Sequence, residues 1–266
     1  MIGAIYFLYA SKPQKIKSVM AEYWSDAMRS AASLKKHMPY ITIDLYSNFQ
    51  IDPVDCFDRI LSNEPDPGDI WQFKYQCLLK STYDITLHLD ADTFICDDFS
   101  EVFRTMDRFD LAFTLSMTYV SQHTPDIPLC FPEPAGGFMV FKNNETVRDF
   151  LIQAQSHVVN RRHGCDEPCL RRALYETDIR YAVLPWEYNC LYIHPGYACM
   201  KIKVMHGPRE TIQADADIMN TKIYKRYDTW KRIFTGDRLL LFKKKRQKIM
   251  EVVKEIPYQK NGFIRA

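Results

Sequence analysis

The sequence predicts an α/β protein with a mostly parallel central sheet and helices on both of its faces. The chain has 266 residues, of which 47% are hydrophobic, and this is enough to bury the core of one domain. Short apolar runs of strand type alternate with segments of helical periodicity, a pattern typical of βαβ units. The first run, residues 2–9, is continuously apolar, as expected of a strand that is buried on both faces.

The predicted elements follow in chain order. A helix over residues 14–37 comes after the first strand and ends before Pro39, which cannot continue it. Further strands are predicted at residues 41–46, 59–61, 85–89, 111–115 and 138–141. Further helices are predicted at residues 70–81, 99–106, 146–161 and 167–176. Ligands of such sheets bind outside the carboxyl ends of the strands, so the residues after Tyr9, Tyr46 and Leu89 are the first candidates for a site.

Composition argues against membrane-spanning and secreted classes. The longest apolar stretch covers residues 2–10, whereas a transmembrane helix needs about 20 residues. No Lys or Arg precedes this stretch, and Ser11-Lys12-Pro13 makes a poor signal-peptide cleavage site. The eight cysteines form no Cys-x-x-Cys pair. We therefore expect free thiols in a reducing, cytoplasmic protein, with disulfides as the minor alternative.

The charge of the chain is unevenly distributed. Residues 222–254 contain twelve Lys and Arg but three Asp and Glu, although the whole chain has a net charge of +2. This predicts a catalytic or binding domain over residues 1–220 and a basic, aromatic, helical extension over residues 221–266. The extension packs on the domain in one interpretation, and makes peripheral contact with an anionic membrane in another. Nucleic acid is not a predicted partner, because the basic run belongs to no recognised module.

The strongest chemical signal is the run from Leu87 to Asp92, in which Asp90 and Asp92 flank Ala91 directly after a predicted strand. Mg²⁺ and Mn²⁺ prefer oxygen ligands and take carboxylates together with substrate phosphates. The same triplet recurs at residues 215–217 with no predicted strand before it, so a simple strand end and turn remains the alternative. His206 also follows a strand-like stretch and could supply a nitrogen ligand, although a single His is more often structural.

Two cations are candidates for contact with phosphates. Lys74 lies on the predicted helix before the Asp90 strand, where its ammonium either reaches a phosphate or faces solvent. Arg209 follows His206 and could pair with a diphosphate. By contrast, Arg171 and Arg172 are expected to cover a helix surface, and His88 is expected to be a core histidine.

Two further pairs carry interpretable chemistry. Gly136 and Gly137 precede a predicted strand and allow the backbone to approach a sugar or phosphate closely, although a tight turn explains them equally well. Asp166 and Glu167 open a predicted helix. They could accept hydrogen bonds from sugar hydroxyls, and one of them could act as a general base. Asp166 is also a good helix N-cap, which is compatible with either role.

In combination, these segments resemble GT-A type glycosyltransferases, the nucleotide-diphospho-sugar transferases related to family 8. The resemblance runs from residue 2 to about residue 209 and rests on the order and spacing of several loose blocks. The blocks are residues 73–79, 81–94, 99–110, 136–141, 166–174, 183–189 and 203–207. It implies a GT-A, Rossmann-like fold and transfer of a sugar from a nucleotide diphosphate.

The resemblance also implies a role for each candidate residue. The metal, Mn²⁺ or Mg²⁺, is expected on Asp90, Asp92 and His206. The donor-binding residues are expected to be Tyr9, Ala10, Ser11, Lys74, Asp90, Ala91, Gly136, Gly137 and Arg209. The catalytic residues are expected to be Asp166 and Glu167, whose roles the sequence does not separate.

Two departures from the family pattern affect the expected function. Ala135 stands where relatives usually have Asn, and Glu167 where they tend to have Gln, which leaves a retaining or inverting outcome open. We expect a UDP-sugar donor and a glycan or lipid-linked acceptor in surface polysaccharide synthesis. The alternatives are a nucleotidyltransferase-like enzyme and a non-catalytic protein that binds sugar nucleotides. A nucleotidyltransferase should carry a Gly-rich basic loop after the first strand, and Tyr9 to Gln14 is not such a loop.

Overall fold

A computed structural model describes residues 1–116, 124, 126–158, 165–192, 198–207 and 211–221. The strands are β1 (Ile2–Leu8), β2 (Thr42–Ser47), β3 (Arg59–Leu61), β4 (Ile85–Leu89), β5 (Thr93–Ile95), β6 (Leu111–Leu115), β7 (Pro134–Lys142), β8 (Tyr181–Leu184), β9 (Cys190–Leu191) and β10 (Val204–His206). The helices are α1 (Ile16–Glu22), α2 (Trp24–His37), α3 (Ile70–Leu79), α4 (Glu101–Thr105), α5 (Glu145–Val158), α6 (Glu167–Glu176) and α7 (Ile212–Thr221).

Seven strands form the central sheet in the order β3-β2-β1-β4-β7-β6-β8. β7 is antiparallel to both β4 and β6, and all other neighbours in this sheet are parallel. Successive residues of β1 face opposite sides, so Tyr6 packs in a core with α2, and Ile5 packs in a second core with α3, α5 and α6. The predicted mostly parallel sheet with helices on both faces is confirmed.

A smaller sheet, in the order β5-β10-β9, lies beside the central one. β10 runs antiparallel to β5 and parallel to β9. Helix α7 packs on this sheet through Ile212 and Met219, which join Phe94 and Met205 in a third core. These strands have only two or three residues each, so hydrophobic periodicity has too little sequence to reveal them.

The long predicted helix over residues 14–37 is divided. A 3₁₀ turn at Pro13–Lys15 leads into α1, and Tyr23 separates α1 from α2. The predicted strand at residues 138–141 is longer in the structure, since β7 begins at Pro134. The glycine pair therefore lies inside a strand, and the tight-turn interpretation is wrong.

The prediction that Arg171 covers a helix surface is also wrong. Its side chain is fully buried and donates to the carbonyls of Phe131 at 3.3 Å and Pro128 at 2.6 Å. These carbonyls belong to the loop before β7, where no strand partner is present to satisfy them. Arg171 therefore fixes this loop to α6. Arg172 does lie at the surface, where it pairs with Asp126 and Glu176.

None of the described helices combines the length and apolar character needed to cross a bilayer. All eight cysteines are free thiols. Of the predicted extension over residues 221–266, Thr221 ends α7, and the remainder lies outside the described residues.

Candidate active site

Strand register brings the Asp90–Asp92 turn next to His206. Asp90 directly follows β4, and the turn leads into β5. Pairing of β5 with β10 sets Thr93 opposite His206, and the backbone N–H of Gly207 donates to the Asp92 carbonyl at 3.0 Å. The three predicted metal ligands therefore meet at the carboxyl end of β4.

The three side chains are close enough to share one ion. Nε2 of His206 lies 3.2 Å from Asp92 Oδ1 and 3.7 Å from Asp90 Oδ2, and one ligand atom from each residue lies within 4.8 Å of the others. Two ligands of one ion at about 2.1 Å are separated by about 3 to 4 Å. The oxygen and nitrogen donors suit Mn²⁺ or Mg²⁺, so the residues present fit such an ion.

Asn189 orients the imidazole of His206. Its Oδ1 accepts from His206 Nδ1 at 2.8 Å, and its Nδ2 donates to Thr114 Oγ1 at 3.1 Å. The bond places the imidazole proton on Nδ1 and leaves Nε2 facing the two aspartates, as a metal ligand requires. Sequence analysis did not single out Asn189, because its role depends on contacts between distant segments.

Lys74 and two histidines surround Asp90. Burial alone would raise its pKa, but the neighbouring Lys74, His88 and His206 outweigh burial and hold the pKa well below its usual value. His88 is fully buried, as expected of a core histidine, and its Nε2 lies 3.3 Å from Asp90 Oδ1. Asp90 is therefore a charged carboxylate at neutral pH.

The glycine pair of β7 allows these groups to approach the sheet. A Cβ atom on Gly137 would lie 2.2 Å from Cε1 of His206 and 2.9 Å from Asp90 Oδ2. A Cβ atom on Gly136 would lie 2.8 Å from Nζ of Lys74 and 2.9 Å from Asp166 Oδ1. Glycine is needed at both positions because of this close approach.

Lys74 and Asp166 form a buried ion pair. The Lys74 side chain is 0% exposed, and its Nζ lies 3.0 Å from Asp166 Oδ2 and donates to the Gly136 carbonyl at 2.9 Å. Tyr75 also donates to Asp166, at 3.3 Å. Asp166 stands at the N-cap position of α6, but its side chain makes no capping bond. It faces Lys74 instead, so contact of Lys74 with donor phosphates stays a prediction.

Glu167 follows Asp166 and lines the same region of the site. Burial, together with repulsion from Asp166, raises the pKa of its carboxyl group. The Cys165 thiol donates to this carboxyl group, but Oε2 is buried and has no hydrogen-bond partner in the described part of the chain. Glu167 therefore offers a free acceptor oxygen at the N-terminus of α6.

Two adjoining cavities share Trp71 and Asp90 in their walls. The larger, about 320 Å³, is lined by residues of β1, α1, α3 and the Asp90–Asp92 turn. The smaller, about 100 Å³, is lined by the glycine pair, Asp166, Glu167 and His206, among others. The Asp90–Asp92–His206 cluster lies where the two cavities meet.

The other predicted donor-binding residues are placed as follows. Tyr9 and Ala91 line the larger cavity. Ala10 is buried, and its backbone exchanges hydrogen bonds of 2.9 Å with the side chain of Asn48. Ser11 is exposed at the start of the following turn, and Arg209 lies outside the described residues.

Solved glycosyltransferase structures have the same fold. The galactosyltransferase LgtC, in complex with donor and acceptor sugar analogs, matches with a TM-score of 0.58 and 10% identity over 87% of this chain and 96% of LgtC. An active-site mutant of LgtC, with glutamate in place of a glutamine, matches with a TM-score of 0.54 and 10% identity over 84% and 95%. The bifunctional glycosyltransferase WbbM matches with a TM-score of 0.51 and 12% identity over 85% of this chain, which spans 51% of WbbM.

This chain has the GT-A fold. The fold class expected from the sequence is thereby confirmed. No protein-family profile matches the sequence, and no curated protein matches it. At 10–12% identity the likeness shows the fold alone.

A chain of buried hydroxyls supports the Asp90–Asp92 turn. Tyr6 hydroxyl lies 2.9 Å from Ser30 Oγ, which lies 2.7 Å from Thr93 Oγ1. Thr93 in turn donates to the Asp90 carbonyl at 2.9 Å. The three side chains are fully buried, so these bonds link β1 and α2 to the turn. Sequence analysis missed this chain, since no local pattern marks it.

Replacing Thr93 with valine is expected to destabilise the protein by about 1–3 kcal/mol, because Ser30 and the Asp90 carbonyl both lose a partner in a buried setting. The free energy of unfolding in urea measures this loss. Thr105→Val is the control, since the Thr105 hydroxyl bonds the Val102 carbonyl of its own helix. Equal stability of the Thr93 variant and the wild type would show that the hydroxyl chain does not hold the turn.

Affinity for Mn²⁺ is expected to rise with pH. Burial lowers the pKa of His206, but Asp92 and Asp90 outweigh burial and raise it to about 9 in the metal-free protein. Because an ion binds the neutral imidazole, it must displace one proton, which gives up to about tenfold in affinity per pH unit below about pH 9. Calorimetry in two buffers of different ionisation enthalpy detects that proton.

The same pKa shift affects the metal-free fold in the opposite direction. The charged imidazole contributes stability fully below pH 6.5, and this contribution is lost as the pH rises through about 9. The midpoint temperature of thermal unfolding, measured with a chelator present, should therefore fall as the pH rises over this range. A pH-independent Mn²⁺ affinity would contradict both expectations.

Proposed function

We propose that this protein is a metal-dependent glycosyltransferase that moves a sugar from a nucleotide diphosphate, a UDP-sugar in the first instance, to a glycan or lipid-linked acceptor. The observation that supports this most is the Asp90–Asp92–His206 cluster between two cavities. The GT-A fold agrees with it, and the LgtC structure with the same fold was solved with donor and acceptor sugar analogs.

The larger cavity suits the nucleoside of the donor. Phe7, Tyr9 and Trp71 give it an apolar, aromatic wall, and the two aspartates stand at one side. Such a wall accepts a flat base, as small-molecule sites commonly do. Asp90, Asp92 and His206 would hold Mn²⁺ or Mg²⁺, which supplies charge neutralisation for a diphosphate leaving group.

The smaller cavity suits the transferred sugar, where two carboxylates have different environments. Lys74 and Tyr75 hold Asp166 in a fixed position, as needed to orient a sugar hydroxyl. Glu167 has a raised pKa and a free oxygen, which favours proton transfer from an acceptor hydroxyl if the reaction inverts. Preorganised groups of this kind lower the barrier without rearranging during the reaction.

Calorimetry with UDP and GDP tests the proposal directly. We expect micromolar binding of UDP with Mn²⁺ and its loss with EDTA. With UDP-glucose or UDP-galactose and no other acceptor, the enzyme should then transfer the sugar slowly to water and release UDP. No binding of either nucleotide under any metal condition would overturn the proposal. Metal-dependent binding without release of UDP in the presence of candidate acceptors would favour the non-catalytic alternative.

The basic run at residues 222–254 supports a more specific location. We propose that it holds the enzyme at the cytoplasmic face of a membrane, where lipid-linked acceptors for surface polysaccharide are found. Basic and aromatic residues bind anionic lipid surfaces. The full chain should sediment with anionic vesicles but not with zwitterionic ones, and changing residues 243–246 to glutamine should weaken this. Equal sedimentation with both kinds of vesicle would contradict the proposal.

A further inference from the structure

We propose that the smaller cavity selects a neutral donor sugar and rejects a uronic acid. The inference rests on the proposed function and deepens it, because it names the chemical class of sugar that the site accepts. Its basis is the charge and the hydrogen-bonding state of the cavity wall.

Three carboxylates line the smaller cavity, among mostly uncharged residues. Asp90, Asp166 and Glu167 all line it, and its described lining includes no Lys or Arg. His206, which also lines it, faces the two aspartates of the metal cluster. A sugar in this cavity therefore meets acidic groups beyond the metal.

Among the described residues, Lys74 is the lysine that contacts these carboxylates, and its ammonium already pairs with groups of the protein. Its side chain is fully buried, and its Nζ contacts Asp166 Oδ2 and the Gly136 carbonyl at 3.0 and 2.9 Å. Lys74 offsets the charge of Asp166, and it does not line the cavity. A carboxylate on a bound sugar would gain no direct ion pair from it.

Glu167 needs a hydrogen-bond donor, which the bound sugar could supply. Its Oε2 is buried without a hydrogen-bond partner among the described residues, and a buried acceptor is costly until a donor reaches it. A sugar hydroxyl carries such a donor, whereas an ionised carboxylate carries none. A uronic acid has one hydroxyl fewer, at C6, and adds a charge of the same sign as an ionised Glu167.

The size of the cavity strengthens the charge argument. At about 100 Å³, the space leaves each substituent of a bound sugar within a few ångströms of the wall. Over such distances like charges repel. A uronic acid carboxylate that lies on the side of the cavity formed by Asp166 and Glu167 would therefore be disfavoured.

Matched pairs of donors test the inference. UDP-glucose and UDP-glucuronate differ only at C6, as do UDP-galactose and UDP-galacturonate. Calorimetry of the wild-type protein with Mn²⁺ should show that each uronate binds about tenfold or more weakly than its neutral partner. Glu167→Gln keeps the shape of the side chain and removes its charge. In this variant the difference in affinity between the neutral and uronate donors of each pair should become smaller. Glu176→Gln, at the other end of α6, is the control and should leave this difference unchanged.

The outcomes separate this inference from the proposed function. Metal-dependent UDP binding together with equal affinity for neutral and uronate donors would overturn the inference and leave the proposed function intact. Absence of binding for UDP and all four donors would overturn the proposed function itself. The wild-type comparison needs no variant, so it decides the question even if Glu167→Gln fails to fold.

Discussion

Replacing Asp92 with asparagine is expected to remove metal-dependent UDP binding and sugar transfer. The change keeps the shape of the side chain, but it removes one of the two carboxylates that flank Ala91, which we propose as metal ligands. Loss of a group that only orients a metal ligand costs 10–100-fold in affinity or activity. Loss of a ligand should therefore cost at least about 100-fold in the affinity for Mn²⁺, and the free energy of unfolding should change little.

The sequence provides a matched control for this experiment. Asp217 belongs to the second Asp-Ala-Asp triplet, and it is exposed on α7. Asp217→Asn removes the same charge from the same tripeptide and should leave calorimetric binding of Mn²⁺ and UDP unchanged. If Asp92→Asn bound UDP with Mn²⁺ as tightly as the wild type, the metal cluster would not be the donor site.

Replacing Lys74 with methionine is expected to cause the largest loss of stability, about 3–5 kcal/mol. The substitution leaves the buried carboxylate of Asp166 without its cation. It also removes the positive charge that lies between Asp166 and Asp90. Although burial lowers the pKa of Lys74, Asp166 and Asp90 outweigh burial and raise it. The ammonium is therefore charged at neutral pH, and its removal exposes the repulsion between the two carboxylates.

Urea unfolding of the metal-free protein measures this effect. Lys80→Met, at the C-cap of the same helix, is the control, because Lys80 pairs with Glu64 in a partly exposed position. Surface pairs contribute about 0–1 kcal/mol, so the control should lie close to the wild type. Similar losses in the two variants would mean that the buried ion pair adds no special stability.

The core of the candidate site could be predicted from short-range sequence. The apolar strand that ends at Leu89 places the following Asp90 at a carboxyl edge, and parallel sheets bind ligands at that edge. β4 and β6 begin and end at the predicted residues, because their apolar runs are bounded by polar residues. The preceding strand also distinguishes this Asp-x-Asp triplet from the one at residues 215–217, which follows no predicted strand. The link between the triplet and His206 comes from the resemblance to GT-A glycosyltransferases.

The supporting contacts could not be predicted in this way. Asn189 contacts His206 only because β9 and β10 pair, and these strands are too short for a periodic signal. Ser30 contacts Thr93 across 63 positions of the chain. The sequence predicts Arg171 as a solvated helix residue, but in the structure the loop before β7 packs on it. In each case the partner is set by tertiary packing, which propensity and spacing do not encode.

The reversed direction of β7 has an evolutionary consequence. A strand parallel to its neighbours contributes to the carboxyl edge through the loop that follows it, and loops vary readily. β7 instead enters at that edge, where the Gly137 carbonyl accepts from the Asp90 N–H at 3.0 Å. Both glycines lie in the part of β7 where its register with β6 shifts. Part of the wall of the smaller cavity is thus formed by the sheet itself, whereas the loops around it vary more readily. Substitutions in those loops can therefore reshape the rest of the cavity while the glycine wall is kept.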